Sequence, residues 1–544
     1  MALSIAYLLL FANGPFWRAA LLGRDPASPA TWGYAAALAA LVGGLHFVAL
    51  GLLSPRAVLR PILAVVVVTS IVASYYMDRY AIYLDRAMLR NVMATHYSEA
   101  RELLSWDLVR HVVLFGALPA AALWWPRLVP RPLGRALMVR VGWVAGAAVL
   151  AVAAILPVFP DFASLMRNRR EVRHLVTPGN LVAAFAGNAL GRSRAASGPL
   201  VTVGADATLA PAWAGRARPT LFVLVVGETA RARNFGLNGY ERMTTPQLAA
   251  RQVLNFSDVT ACGTSTEVSL PCMFSPFGRR DYDEDRIASH ESVLHVLARA
   301  GFHVQWRDNQ SGCKGVCAGL PTLAMGRFSV EGLCPEGQCL DEVLLHGLDR
   351  VLADARGNLF LVMHQLGSHG PAYYRRYPAA FRRFSPACEK DDLRLCTVAE
   401  IRNAYDNSIL YTDHVLARLI DFLSQRQDRY DTGMLYVSDH GESLGEGGLY
   451  LHGMPYRVAP DVQLKVPMVA WLSPAFSASF GVDPACLRAQ SGRPLSHDHL
   501  FHSVLGLMDV QTQAYDPGRD LFAPCRVAPV PFRPPIRASA GNPH

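Results

Sequence analysis

Residues 220–231 read TLFVLVVGETAR. The apolar, β-branched run from Leu221 to Val226 has no polar alternation, which is the pattern of a strand covered on both faces, as in the parallel sheet of an α/β domain. Gly227 ends the run and Glu228 follows it. Ligands of open α/β sheets gather beyond the carboxyl ends of the strands, so Glu228 stands where a site is expected. A second strand end lies at residues 434–446, MLYVSDHGESLGE, where Leu435 to Val437 gives way to Ser438-Asp439-His440-Gly441. Between and around these ends, strand-like runs (220–226, 302–306, 358–364, 433–438) alternate with helix-like ones (289–300, 340–355, 404–425, 498–508). That alternation predicts a doubly wound α/β sheet.

Residues 258–275, DVTACGTSTEVSLPCMFS, set the hydroxyls of Thr264, Ser265 and Thr266 among small residues between Cys262 and Cys272. Gly263 permits a tight turn, and Pro271 argues against an ordinary helix, so the stretch reads as a nucleophile loop stapled at its ends. A hydroxyl is a weak nucleophile near neutral pH unless a base or metal activates it. Two carboxylates (Glu228, Asp439), an imidazole (His440) and an alkoxide make a tetrahedral zinc site. Each of the three alone is an ordinary strand-end polar residue; together, beside a hydroxyl loop, they are a site. His369 follows the run 359–363, and His452 follows a glycine-rich turn. Either is a surface histidine or a group for a second metal, phosphate contact or proton transfer. His364, inside the strand run, reads as structural.

The chain has 544 residues, enough for two or three domains, and 51% of them are hydrophobic. The excess sits in residues 1–157, the expected membrane domain; 158–215 reads as interfacial helices and linker, and 216–544 as a soluble catalytic domain. Five segments approach the length of a bilayer span: 2–20, 32–53, 60–77, 108–125 and 137–156. The loops bearing Arg56, Arg60, Arg127, Arg131, Arg135 and Arg140 carry no acid and are expected on the cytoplasmic side, which sends the region beyond Pro157 across the membrane. Cysteine usage agrees. All ten cysteines lie at or beyond Cys262, in close pairs Cys262/Cys272, Cys313/Cys317, Cys334/Cys339 and Cys388/Cys396, with Cys486 and Cys525 left for a fifth. That is the pattern of an oxidising compartment. The net charge of +9 comes from arginine, the lysines being only Lys314, Lys390 and Lys465. With no basic stripe of interleaved aromatics, this charge points to anionic lipid and not to nucleic acid. In the loop 78–107, Asn91, Thr95 and Glu99 recur every fourth residue, as on one helix face.

The chain resembles the bacterial phosphoethanolamine transferases that modify lipid A, which include the colistin-resistance enzymes. The matching stretches are GETAR (227–231), CGTST with PCMFS (262–275), KGVC (314–317), HQLGSHGPAYY (364–374), SDHGESLGE (438–446) and LHGMP (451–455). The resemblance implies an alkaline-phosphatase-like (sulfatase-like) periplasmic domain on an inner-membrane helical domain. It implies Thr266 as the nucleophile and zinc held by Glu228, Thr266, Asp439 and His440. Lys314 and Ser311 are then phosphate contacts, and Asn91, Thr95 and Glu99 hold the donor headgroup. One residue departs from the pattern: Glu267 stands where a small residue such as alanine is expected.

The implied reaction is ping-pong, from phosphatidylethanolamine to Thr266 and on to a phosphate of lipid A, by a monomer. Transfer to another glycan and phosphoglycerol transfer are the alternatives within the fold. A sulfatase would carry a C/S-x-P-x-R motif, which 262–272 lacks. A membrane-anchored binding protein with an inert site would hold zinc without turning over a labelled lipid.

Overall fold

The computed structural model describes all residues except 54, 56, 57, 96, 127–131, 196–198, 336, 337 and 528–544. Arg56, Arg127 and Arg131 of the expected basic loops therefore lie outside the described residues. The chain divides into two compact units, Met1–Ala196 with Leu444–Val458, and Ser197–Ser443 with Ala459–His544.

In the first unit, among the described residues, three helices are long and apolar enough to cross a membrane: Pro29–Leu52, Leu59–Tyr80 and Gly134–Asn168. The other two expected spans are interrupted, for local reasons. The first breaks into Ala2–Phe11 and Gly14–Ala20. There Asn13 Nδ2 donates to Leu8 O (2.9 Å) and Thr177 O (3.0 Å), while the Thr177 hydroxyl donates to Ala12 O (2.9 Å). The fourth, 106–122, widens into a π-turn at Val112–Ala117. Pro119 cannot donate to the carbonyl four residues before it, and Tyr7 Oη donates to that Phe115 oxygen instead, at 2.6 Å. A methyl on Gly44 would lie 2.8 Å from Ala151 Cβ and 2.9 Å from Ala147 O, so glycine lets the first and third spanning helices meet along small residues.

The loop 78–107 corrects one expectation. Asn91, Thr95 and Glu99 do not share a continuous helix: Arg86–Ala94 ends where Thr95 becomes extended and turns its hydroxyl onto Asn91 O (2.7 Å), and Tyr97–Glu102 starts anew. A threonine hydroxyl competing for a backbone carbonyl is a local alternative to helix that spacing alone does not reveal. The side chain of Glu99 lies outside the described residues.

The second unit is built on one eight-stranded sheet: β1 (Thr220–Gly227), β2 (Leu254–Thr260), β3 (His303–Asp308), β4 (Thr322–Ala324), β5 (Leu359–His364), β6 (Asp431–Ser438), β7 (Lys465–Leu472) and β8 (Leu495–Ser496). Their order is β8-β2-β7-β6-β1-β5-β3-β4. Every residue of β1, β5 and β6 is buried, as the unbroken apolar runs require. The sheet is mixed, because β7 runs antiparallel to both β2 and β6. Helices cover its faces; the longest, Val398–Ser424, opens with a capping box of Thr397 and Glu400.

Residues 199–215, the end of the stretch 158–215 expected as interfacial helices and linker, fold onto this unit. Thr208–Leu209 pairs with Val510–Gln511. Trp213 packs edge-on against Phe302 and Phe480, and Arg216 stacks over both Trp213 and Phe480. Five disulfides close: Cys262–Cys272, Cys313–Cys317, Cys334–Cys339, Cys388–Cys396 and Cys486–Cys525, the last spanning 39 residues.

Candidate metal centre and nucleophile

Strand register assembles the site. Parallel pairing of β1 with β6 sets Gly227 against Ser438, so Glu228 and Asp439 leave adjacent strand ends side by side, and Asp439 N–H donates to Gly227 O at 2.9 Å. Glu228, Asp439 and His440 are fully buried, and one ligand atom of each lies within 4.8 Å of the others. His440 Nε2 stands 3.3 Å from Glu228 Oε1 and 3.4 Å from Asp439 Oδ2.

Thr266 joins them. The expected loop is in fact a helix, Thr266–Met273, with Thr266 as its first residue and Pro271 inside it. The lost bond at Pro271 falls in the last turn of so short a helix, where it does not propagate. Gly263 is required: a methyl there would come within 2.9 Å of Ser269 N and Val268 Cβ. The Thr266 hydroxyl, 4% exposed as a residue, donates to Glu228 Oε2 at 2.9 Å and lies 3.3 Å from His440 Nε2.

The donor set fits a small divalent cation. His440 Nδ1 donates to Gly441 O at 2.9 Å, which leaves the Nε2 lone pair directed at the oxygens. Asp439 Oδ1 accepts from Thr229 N and His440 N, whereas Asp439 Oδ2 is buried with no hydrogen-bond partner among the described residues. In the absence of a cation the cluster holds protons. Burial and the Glu228 carboxylate push Asp439 up to about 6, and the two carboxylates overcome burial to push His440 up to about 10. Thr229, a β-branched residue held at φ +62°, donates its hydroxyl to Glu228 Oε1 at 2.6 Å. That backbone is costly away from a site.

Beyond these four, Gln310, which motif reading passed over, links Glu228 to the expected phosphate contacts Ser311 and Lys314. Gln310 Nε2 donates to Glu228 Oε2 at 3.1 Å, the Ser311 hydroxyl donates to Gln310 Oε1, and Lys314 Nζ donates to Ser311 Oγ at 2.8 Å. Lys314 also lies 3.6 Å from Glu267 Oε2. His369 is half-buried in the loop after β5, its carbonyl accepting from Arg376 Nε at 2.7 Å. That loop is fixed by buried Asp341, which accepts from Leu366 N at 2.7 Å and Gly367 N at 2.8 Å. His452 belongs to the segment Leu444–Val458 of the membrane unit, where Gly453, at φ +90°, packs so closely on Met88 that any Cβ would collide with it. His364, as expected, is structural: Nδ1 donates to Asp308 Oδ1 at 2.9 Å.

His497 went unnoticed in sequence. Its Nδ1 accepts from Cys262 N at 3.1 Å and its Nε2 donates to Ser438 O at 3.0 Å, which ties the nucleophile stretch to the end of β6. Burial pulls its pKa down from 6.5 to about 3. Below pH 6.5 the unfolded chain takes up a proton that the folded chain refuses, so this stability is complete above pH 6.5. It is lost as pH falls toward 3, at up to about 1.4 kcal/mol per pH unit. A His497→Gln variant, unfolded in denaturant between pH 6.5 and 4, is expected to show a shallower loss of stability by about one proton. A slope equal to the wild type's would mean that the folded state carries the imidazole charged.

Comparison with known proteins agrees with this architecture. Residues 42–191 match the family model for phosphoethanolamine transferase EptA/EptB, and residues 220–510 match that for sulfatase. Phosphoethanolamine transferase EptA of Salmonella typhimurium is 39% identical over 469 residues, 86% of each chain. Phosphatidylethanolamine transferase Mcr-1 of Escherichia coli is 38% identical over 480 residues, 86% of this chain and 87% of that one. The structure matches the integral membrane protein lipooligosaccharide phosphoethanolamine transferase A of Neisseria meningitidis with a TM-score of 0.90 at 37% identity, covering 96% of this chain and 98% of that one. With its membrane helices, its periplasmic sulfatase-like domain and relatives of this identity over most of their length, the chain belongs to the inner-membrane phosphoethanolamine transferase family.

Proposed function

We propose that the protein transfers phosphoethanolamine from phosphatidylethanolamine to a phosphate of lipid A, through a covalent intermediate on Thr266. The observation that carries this reading is the Thr266 hydroxyl, hydrogen-bonded at 2.9 Å to one of three buried residues whose atoms converge as metal ligands. A hydroxyl in that setting is a nucleophile, not a packing group.

Glu228, Thr266, Asp439 and His440 would hold zinc, which when bound supplies a Lewis acid that lowers the hydroxyl's pKa and offsets phosphoryl charge. Thr266 Oγ1 passes its proton toward Glu228 Oε2 and attacks phosphorus; the bond to the diacylglycerol oxygen breaks, and that oxygen takes up a proton. In the second half, a phosphate oxygen of lipid A attacks the same phosphorus, and Thr266 leaves and recovers its proton. His369 and His452 are the proposed proton carriers, and Lys314 with Ser311 the proposed phosphate contacts. Asn91, Thr95 and Glu99 are the proposed donor contacts of the membrane unit. Capping a lipid A phosphate with an ammonium group weakens its attraction for cationic polymyxins, so resistance to colistin follows.

The test is mass spectrometry of lipid A from cells with and without the gene. Added phosphoethanolamine on lipid A phosphate supports the reading. The modification on a core sugar, or phosphoglycerol in its place, would reassign the acceptor or the donor.

A further inference from the structure

Glu267 directly follows the proposed nucleophile in the chain, and its surroundings say what it does. It occupies the first turn of the helix that Thr266 begins. An acid there gains from the helix dipole, but that benefit is available to a solvated carboxylate. The Glu267 side chain is only 18% exposed, and its Oε2 is buried and accepts no hydrogen bond among the described residues. It pairs with Lys314 Nζ at 3.6 Å, and the Lys314 side chain is itself 7% exposed.

These two side chains close a circuit. Thr266 donates to Glu228, Gln310 donates to the same carboxylate, Ser311 to Gln310, Lys314 to Ser311, and Lys314 faces Glu267, the neighbour of Thr266 in sequence. A phosphoryl group attacked by Thr266 enters this ring. Lys314 is the ring's cation and would turn to the phosphoryl oxygens, leaving Glu267 without its partner.

A bare carboxylate beside an incoming phosphodiester repels it in a buried site. The repulsion becomes attraction if the donor brings its own cation. In phosphoethanolamine the ammonium is two carbons from the phosphoryl oxygen, so whatever anion reads it during attack must stand close to the nucleophile. Building on the transferase reading above, we propose that Glu267 binds the donor's ammonium in the catalytic unit and thereby selects a zwitterionic headgroup over an anionic one that lacks the ammonium. No other step of the reaction requires this carboxylate.

The full-length protein is assayed in vesicles containing lipid A and one donor, either phosphatidylethanolamine or phosphatidylglycerol. Wild type is expected to favour the ethanolamine donor in kcat/KM. Glu267→Gln keeps the shape and removes the charge, so the ratio of the two donors should fall by about tenfold, the worth of one charge-assisted hydrogen bond. Glu267→Ala should move the ratio the same way, and zinc content should stay normal in both. If both donors slow equally, Glu267 only positions Lys314 and the proposal is overturned. An unchanged ratio also overturns it. A wild type that uses neither donor refutes the transferase reading beneath it, and this proposal with it.

Discussion

Thr266→Ala should lower phosphoethanolamine transfer by at least about a thousandfold while the protein folds and keeps its disulfides. The side chain is small and the helix it opens is otherwise intact, so the change leaves no large cavity and removes only the hydroxyl that Glu228 accepts. Thr266→Ser keeps the oxygen and should retain activity within about tenfold, since what it loses is the rotamer restraint of the β-branch. The decisive observation is covalent. Wild type incubated with donor and no acceptor, then digested, should yield the Thr266 peptide bearing phosphoethanolamine, and the alanine variant should yield none. Activity in Thr266→Ala above a tenth of wild type would transfer the role to Thr264 or Ser265, which are buried beside it at 6% and 4% exposure.

The strands that carry ligands were legible because burial on both faces leaves an unbroken apolar run, and β1 and β6 are such runs. Of the four strands missed, β4 and β8 are only three and two residues long, while β2 and β7 carry Asn255, Ser257 and Asp258 in one case and Lys465 and Pro467 in the other. Their polar residues break the run, and antiparallel placement leaves them partly covered. The helix at Thr266 was hidden by Pro271, whose signal against helix is strong in a long helix and weak in the last turn of an eight-residue one. In the membrane unit, hydropathy gave five segments, but Asn13 and Pro119 act on the helix through distant Thr177 and Tyr7, which no window average contains.

The site divides in the same way. Residues whose type announces chemistry, such as Glu228, Asp439, His440 and Lys314, stand out at strand ends and in cysteine-bounded loops. Gln310, Ser269 and His497 do not, because their roles exist only across the fold: Ser269 Oγ donates to Asp439 O at 2.5 Å, a contact between residues 170 apart. Glu267 is a middle case. Its oddity was visible in sequence, and its meaning required the position of Lys314.

Removing a metal ligand should separate metal affinity from stability, because Asp439→Ala and His440→Ala act unequally on the metal-free protein. Both leave three ligands and should weaken zinc binding by at least about a hundredfold, with transfer lost alongside it. Without zinc, wild type buries two carboxylates beside one imidazole that the carboxylates keep protonated to about pH 10. Deleting Asp439 leaves Glu228 and His440 as a neutral pair 3.3 Å apart but takes the acceptor from Thr229 N–H and His440 N–H, so the metal-free variant should melt only slightly below metal-free wild type. Deleting His440 leaves Glu228 and Asp439 facing each other with no counter-charge, and should cost about 3 kcal/mol. Zinc at a thousand times its dissociation constant stabilises the wild type by about 4 kcal/mol, and neither variant should gain it at that concentration. Thermal melts with zinc and with chelator, together with elemental analysis, read all of this without an activity assay. Full zinc occupancy in either variant would remove Asp439 or His440 from the ligand set, and equal destabilisation of the two metal-free variants would mean that the cluster is not held by the charges described.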